Sequence, residues 1–290
     1  MNGVLNIYKE RGMTSFQVVA SVKRITGIKK VGHTGTLDPE AEGVLPVCIG
    51  RATKLVDYIM DGEKIYRASF QFGKISDTLD AFGEVQETGE PLPKRENVIK
   101  MLQSFLGTTK QIPPMYSALK VQGKRLYELA RDGKEISREA REIHVSKIHL
   151  IEYREHSGEG SFLLVCSKGT YVRSIIDDLG RMLGSGAIMT GLVREATGGF
   201  QKEASVTLSQ LEQEGVEKYL IEMEEVLKNF PAFVVPDAFL NLIANGVKVK
   251  DQRLVSDVKA GLYKGLDGQG KLLGILERME DILYLKLNLM

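Results

Sequence analysis

An α+β body with a small β-rich C-terminal appendage is the fold class the sequence predicts, and three observations carry it. The chain has 290 residues, more than the roughly 100–200 of one typical domain, which favours a large unit plus a small one. Strand-like and helix-like spacings alternate along it, with no internal repeat, heptad series or low-complexity tail. Its end is a set of short apolar runs split by Gly246, Gly261, Gly265, Gly268, Gly270 and Gly274, the punctuation of a small β unit. The expected division is residues 1–229 for the body and 230–290 for the appendage.

Val4 to Tyr8 reads as a strand. Thr14-Ser15-Phe16-Gln17 fits a capping box, and Val18, Val19, Val22 and Ile25 give helical spacing before Gly27. Residues 31–54 hold six glycines or prolines among few periodic apolar positions, so backbone freedom is expected there, as in a functional loop. Tyr66, Ala68, Phe70 and Phe72 alternate with Arg67, Ser69 and Gln71, which puts the aromatic set on one sheet face with Tyr66 near the strand's start.

After the turn-rich Gly83 to Pro93, the spacing of Val98, Met101, Leu102, Phe105 and Leu106 predicts a helix closed by Gly107. Pro113-Pro114 breaks regularity, and 115–141 interleaves basic residues with Tyr116, Leu119, Leu126, Tyr127 and Leu129. This is a basic, partly helical insertion, about 110–141, able to lie over a polyanion. Ser161 to Ser167 reads as a buried strand, turned by Lys168-Gly169 into a helix with Thr170 as N-cap. Tyr171 and Arg173 then fall in the helix's first turn at a strand's exit, where side chains project into a cleft and help hold an anion. An acidic helical stretch over 208–228 ends near Phe230-Pro231.

Apolar residues make up 43% and charged residues 27%, ordinary globular usage, and no apolar run approaches the roughly 18 residues a membrane span needs. A soluble protein with no membrane partner is expected. The N-terminus lacks the order of a secretory signal, and the two cysteines, Cys48 and Cys166, lie far apart, so a cytoplasmic chain with reduced thiols is expected. The net charge of +1 means that any nucleic acid must be held by local clustering. Lys110 to Arg141 carries eight basic residues against four acids, whereas Glu203 to Glu225 holds seven acids against Lys218 alone. Lys9, Arg11, Lys23, Arg24, Lys29 and Lys30 face only Glu10. Taken alone, each run reads by default as a solvated face.

The densest polar constellation is Gly32-His33-Thr34-Gly35-Thr36-Leu37-Asp38-Pro39, followed by Gly43-Val44-Leu45-Pro46 and Gly50-Arg51-Ala52-Thr53-Lys54. It is not a phosphate loop, because Gly-Lys-Ser/Thr after a four-residue spacer is missing. His33, His144, His149 and His156 form no metal-ligand pattern with cysteines or carboxylates, and no metal is expected. Asp38 before Pro39 is biased toward an extended backbone that fixes its side-chain direction, as in an ordinary turn aspartate or a reactive one. Residue patterns alone name no reaction.

The string Gly-His-Thr-Gly-Thr-Leu-Asp-Pro, with the two glycine motifs behind it, resembles the signature loop of TruB-family pseudouridine synthases. Support is spread along the chain: Gly3-Val4-Leu5 with Lys9, Gly12, Thr14 and Ser15; Lys64, Tyr66 and Ala68; Pro113 through Lys120; Gly169-Thr170-Tyr171-Val172-Arg173; and Leu192, Arg194, Gly198 and Phe200. The resemblance covers about residues 3–200. It implies a mixed, largely antiparallel sheet flanked by helices. The chain's end is similar in position and size to the family's small PUA-like RNA-binding domain.

Carried over residue by residue, the resemblance implies that Asp38 is the essential carboxylate, attacking either the base or its ribose, with Arg173 as its ion-pair partner. The other reading of Arg173 is helix-surface packing. Tyr66 matches the tyrosine that stacks on the target uracil and helps remove the C5 proton, although alternation with Phe70 and Phe72 also fits a core aromatic. Tyr171 is similar to a pocket contact and Leu192 to a wall of the base site. His33 matches the filler that replaces the extruded uracil, since a stacked T-loop base must be flipped out. Lys9 stands among the substrate contacts, and Lys120, Lys124, Arg125 and Arg131 lie in what resembles an insertion closing over RNA phosphates.

The implied function is conversion of uridine 55 in the T-arm of transfer RNA to pseudouridine, with no cofactor and no metal. The implied enzyme is a monomer without an obligatory protein partner. Glu10 stands where the family has Pro, and Glu195 where Thr commonly follows the Arg. Two rival readings are a non-catalytic RNA-binding module and the related catalytic subunit of guide-RNA particles, the latter disfavoured because its longer, partner-binding ends are not expected here.

Overall fold

A computed structural model describes residues 1–117, 119–121, 123–256 and 258–290, with Lys120 and Arg131 described in backbone only. Among these residues, ten strands form one sheet. From one edge its order is Leu220–Ile221, Gly3–Lys9, Glu42–Ile49, Ala187–Thr197, Lys64–Phe72, Glu159–Cys166, Arg141–Arg154 and Gly107–Gln111. Val31–His33 and Phe200–Gln201 pair onto Glu42–Ile49 and Ala187–Thr197 respectively. The pairings are antiparallel except where Glu42–Ile49 meets Ala187–Thr197. The expected mixed, largely antiparallel sheet is therefore present.

Several elements sit where the spacing puts them. Thr14 caps the helix Ser15–Thr26 with the reciprocal Gln17 bond, and Gly27 closes it at φ 68°, a left-handed position that Gly takes without steric cost. Along Lys64–Phe72, Tyr66, Ala68, Phe70 and Phe72 are buried, as alternation requires. Phe70 meets Phe72, Tyr153 and Phe162 at centroid distances of 5.1, 6.1 and 5.9 Å, a cluster that anchors the core under the helices.

Four expectations are corrected. Residues 31–54 are not one loop: Glu42–Ile49 is a strand buried from Gly43 onward, and only 34–41 is irregular. Its continuous apolar run shows no period because both faces are covered, and Gly43 permits close approach, since a Cβ there would lie 2.3 Å from the Arg194 carbonyl oxygen. The helix Arg95–Gln103 ends before Gly107, which instead opens a strand. The acidic stretch 208–228 is broken into Leu208–Glu214, a 3-10 turn, the strand Leu220–Ile221 and Met223–Val226, because pairing with Gly3–Lys9 outweighs its helical spacing. Thr170 does not cap the helix Val172–Met182; Tyr171 is the N-cap, and the Thr170 hydroxyl donates to the Ser167 carbonyl.

The chain ends in a small β unit, with Ala232–Val234, Gly261–Leu266, Leu272–Met279 and Ile282–Asn288 in sheet order. Its own core holds Phe239, Ile243, Leu276 and Leu283. A second cluster joins its Ile275 and Leu289 to Val4, Val44 and Cys48 of the large sheet and to Leu55 of the 3-10 turn that follows it. The basic residues of Gly50-Arg51-Ala52-Thr53-Lys54 serve this junction: Arg51 donates to the Leu289 carbonyl and Lys54 to that of Asn288. No helix among the described residues is long and apolar enough to cross a membrane.

Candidate active site

The irregular segment 34–41 carries Asp38, and it is pinned from four sides. The buried Ser15 hydroxyl accepts from the Leu37 N–H at 2.9 Å and donates to the Leu37 carbonyl at 3.1 Å, fixing the residue before Asp38. The Thr34 N–H donates to the Pro46 carbonyl. Arg194, buried on the strand Ala187–Thr197, donates to the Val44 carbonyl at 2.7 Å and to that of Gly35 at 3.2 Å.

Lys9 completes the set, and here an expectation is overturned. Its side chain is fully buried, and its ammonium donates to the carbonyls of Glu10, Met13 and Pro39 at 3.0, 2.6 and 2.9 Å. With all three protons used internally, Lys9 braces the Asp38 loop and is not a substrate contact. Because the brace uses the Glu10 backbone, the replacement of Pro by Glu there leaves it intact. Glu195 is equally remote, pairing with Arg67 at 2.9 Å in an exposed ion pair.

Burial pulls the Lys9 and Lys64 ammonium groups down to about 8. Between that value and the ordinary 10.5, the unfolded chain binds more protons than the folded one, so each lysine adds stability as pH rises. The buried Cys48 and Cys166 thiols, pushed up to about 12 and about 11, act oppositely. The readout is therefore a difference: the urea stability of wild type minus that of Lys9→Met is expected to grow between about pH 8 and pH 10. A constant difference would show that Lys9 stays charged in the fold.

Arg173 meets the loop from the helix Val172–Met182. Its Nη2 lies 3.0 Å from Asp38 Oδ2 and its Nη1 lies 3.8 Å from Asp80 Oδ2; the Arg173 side chain is 7% exposed and that of Asp38 42%. The same guanidinium donates to the carbonyls of Thr78 at 2.9 Å and Tyr116 at 2.8 Å. A cation in a helix's first turn is opposed by the dipole, and two carboxylates with two carbonyls offset that cost. The arrangement presents one carboxylate, oriented and half open, beside a buried guanidinium. Upstream, Gln111 brackets the cap residue, accepting from the Tyr171 N–H at 2.8 Å and donating to its carbonyl at 3.0 Å.

Asp80 is the residue that sequence reasoning missed. It is buried, and its carboxylate accepts from the Thr78 hydroxyl at 2.6 Å and the Phe82 N–H at 3.0 Å. Backbone bonds from Met189 N–H to Leu79 and from Ala81 N–H to Met189 pin its segment to the strand Ala187–Thr197. Leu79 sits at φ 64°, a strained position for a bulky residue, held by these bonds. The sole hint was that Thr78-Leu79-Asp80 repeats Thr36-Leu37-Asp38.

Tyr66 and Arg194 are cross-strand partners, as are Ala68 and Leu192, so Tyr66 and Leu192 share the sheet face that Asp38 approaches. Burial raises the Tyr66 phenol above its ordinary value against the opposing charge of Arg194. His33 ends its strand, its Nδ1 accepting from the Gly35 N–H at 3.3 Å, and burial followed by Arg194's charge lowers its pKa. Lys124 and Arg125 stand exposed on a hairpin with Lys120-Val121. The side chains of Lys120 and Arg131 lie outside the described residues.

A family model described as "TruB family pseudouridylate synthase (N terminal domain)" matches residues 23–172, and one described as "tRNA pseudouridylate synthase B C-terminal domain" matches 173–230. A protein of Clostridium perfringens named tRNA pseudouridine synthase B is 48% identical over 97% of this chain and 96% of its own length. One of the same name from Clostridium acetobutylicum is 44% identical over 97% of both. The structure of an H/ACA RNP bound to a substrate RNA containing 2′-deoxyuridine matches with TM-score 0.73 at 22% identity, over 99% of this chain and 85% of that one. At that identity the likeness concerns the fold alone.

Proposed function

Because the chain belongs to the TruB family of pseudouridylate synthases, we propose that it converts uridine 55 in the T-loop of transfer RNA to pseudouridine, with Asp38 as the reacting carboxylate. The observation that carries this reading is the half-exposed Asp38 carboxylate 3.0 Å from the buried Arg173 guanidinium. The guanidinium holds the half-exposed carboxylate in one orientation, aimed at the open side of the site. In the reaction the N1–C1′ bond breaks, a C5–C1′ bond forms, the C5 proton is released and N1 takes up a proton, so atoms balance and no oxidant, reductant or phosphate donor is consumed.

The uracil must first leave its stack. His33, whose lowered pKa favours a neutral imidazole at physiological pH, provides a flat uncharged ring to occupy the gap. Tyr66, kept a neutral phenol by burial, stacks on the flipped base, Leu192 walls it, and Tyr171 lines the pocket. The basic insertion closes over the RNA. Its base is already tied to the reaction centre, since the Tyr116 carbonyl accepts from Arg173. The small C-terminal β unit, PUA-like in this reading, extends the RNA surface, and the enzyme acts as a cytoplasmic monomer.

Tritium release from carbon 5 of uracil in unmodified transfer RNA, with carbodiimide-primer extension to map the product, tests reaction and position together. Purified chain alone is expected to release tritium and to mark position 55. RNA binding without release would favour the non-catalytic module, and a requirement for a guide RNA would favour the particle subunit.

Lys124 and Arg125 carry a separate expectation. Removing one phosphate-binding charge should flatten the slope of log affinity against log salt by roughly one unit. Titrations of Lys124→Ala and Arg125→Ala at several salt concentrations check this, and slopes equal to wild type would remove these residues from the interface.

A further inference from the structure

Phe82 is a large aromatic side chain left 45% exposed on a segment otherwise fixed in place. Its N–H donates to Asp80 Oδ1, and the neighbouring residues are bonded to Met189 on the sheet. Gly83 tightens the turn behind it: a Cβ there would stand 2.1 Å from Asp77 Oδ1. The Arg11 guanidinium carbon lies 5.1 Å from the Phe82 ring centroid, and Arg11 Nε pairs with Glu40 Oε2 at 3.0 Å. One contact chain thus runs from Glu40, two residues beyond Asp38, through Arg11 to Phe82, two residues beyond Asp80. It spans the two loops whose carboxylates share Arg173.

A rigid, half-open aromatic ring gains little from the fold, and burying it against a partner is favourable. Arg11 supports the ring through a cation–π contact, and its charge is already answered by Glu40. The Glu40 carboxylate, standing beside the ring's cation, also discourages phosphate. The surface therefore suits the face of an unpaired base and not the nucleic-acid backbone.

Resting on the isomerase reading, we infer that Phe82, supported by Arg11, stacks on an unpaired base of the substrate RNA next to the flipped uridine. Nucleotides in a T-loop that lose their neighbour to flipping present such a face.

The test uses full-length protein and an unmodified T-arm stem-loop, with affinity and single-turnover tritium release measured separately. Phe82→Leu keeps an apolar side chain and removes the ring; it is expected to weaken affinity about tenfold with the single-turnover rate within about twofold of wild type. Phe82→Tyr should restore wild-type affinity. The salt slope should be unchanged in both, unlike Lys124→Ala. Affinity of Phe82→Leu within about twofold of wild type, or Phe82→Tyr as weak as Phe82→Leu, overturns the inference. Wild type that binds the stem-loop but releases no tritium overturns the isomerase reading instead, while the affinities still decide the stacking.

Discussion

Asp38→Asn is expected to give a folded protein that binds transfer RNA and isomerises none of it, with turnover reduced about ten-thousandfold or more. The substitution keeps the side chain's size and removes only its charge. Folding should survive because the side chain is 42% exposed and Arg173 keeps the Thr78 and Tyr116 carbonyls and Asp80 as partners. Binding should survive because flipping and loop recognition depend on other residues in this reading. Tritium release and filter binding on the same preparation separate the two. Substantial release by Asp38→Asn would end the proposal that this carboxylate reacts, whatever else the site does.

Arg173→Ala carries the second large expected effect, and it falls on stability as well as rate. Removing the guanidinium strands the buried Asp80 carboxylate and two carbonyls. Uncompensated buried charge costs about 3–5 kcal/mol, readable as a lower urea midpoint. The rate should fall by roughly 10²–10³ as Asp38 loses its partner. Adding Asp80→Asn should recover part of the stability and none of the rate, because it removes the stranded charge without restoring Asp38's partner. Arg173→Lys keeps the charge but lacks the planar fork that reaches four acceptors. Should lysine restore both rate and stability, charge alone would suffice and the fork geometry would be incidental.

The strand Lys64–Phe72 and the capped helix Ser15–Thr26 were legible because each is local: alternation and a capping box need only neighbouring residues. Asp38 and Arg173 stood out through the strings around them, and their roles were expected by resemblance. Glu42–Ile49 looks like loop in the sequence because a strand covered on both faces has no period, and its Gly and Pro look like breakers until their neighbours are known. Lys9 misled for a related reason: a lysine near a polar loop looks like an RNA contact, and nothing local reveals three carbonyls converging on its ammonium.

The sequence by itself determined the fold class, the capped first helix, the aromatic sheet face and the loop that carries Asp38, since all of these are written in short-range pattern. Only the tertiary structure decided that Asp80 joins Asp38 on one guanidinium, that Lys9 and Arg194 are internal braces, and that Arg11 meets Phe82. The physical reason is that hydrogen bonds and ion pairs depend on distance in space, and a chain folded into a sheet of non-consecutive strands brings residues 38, 80 and 173 together with no trace of that approach in the spacing between them.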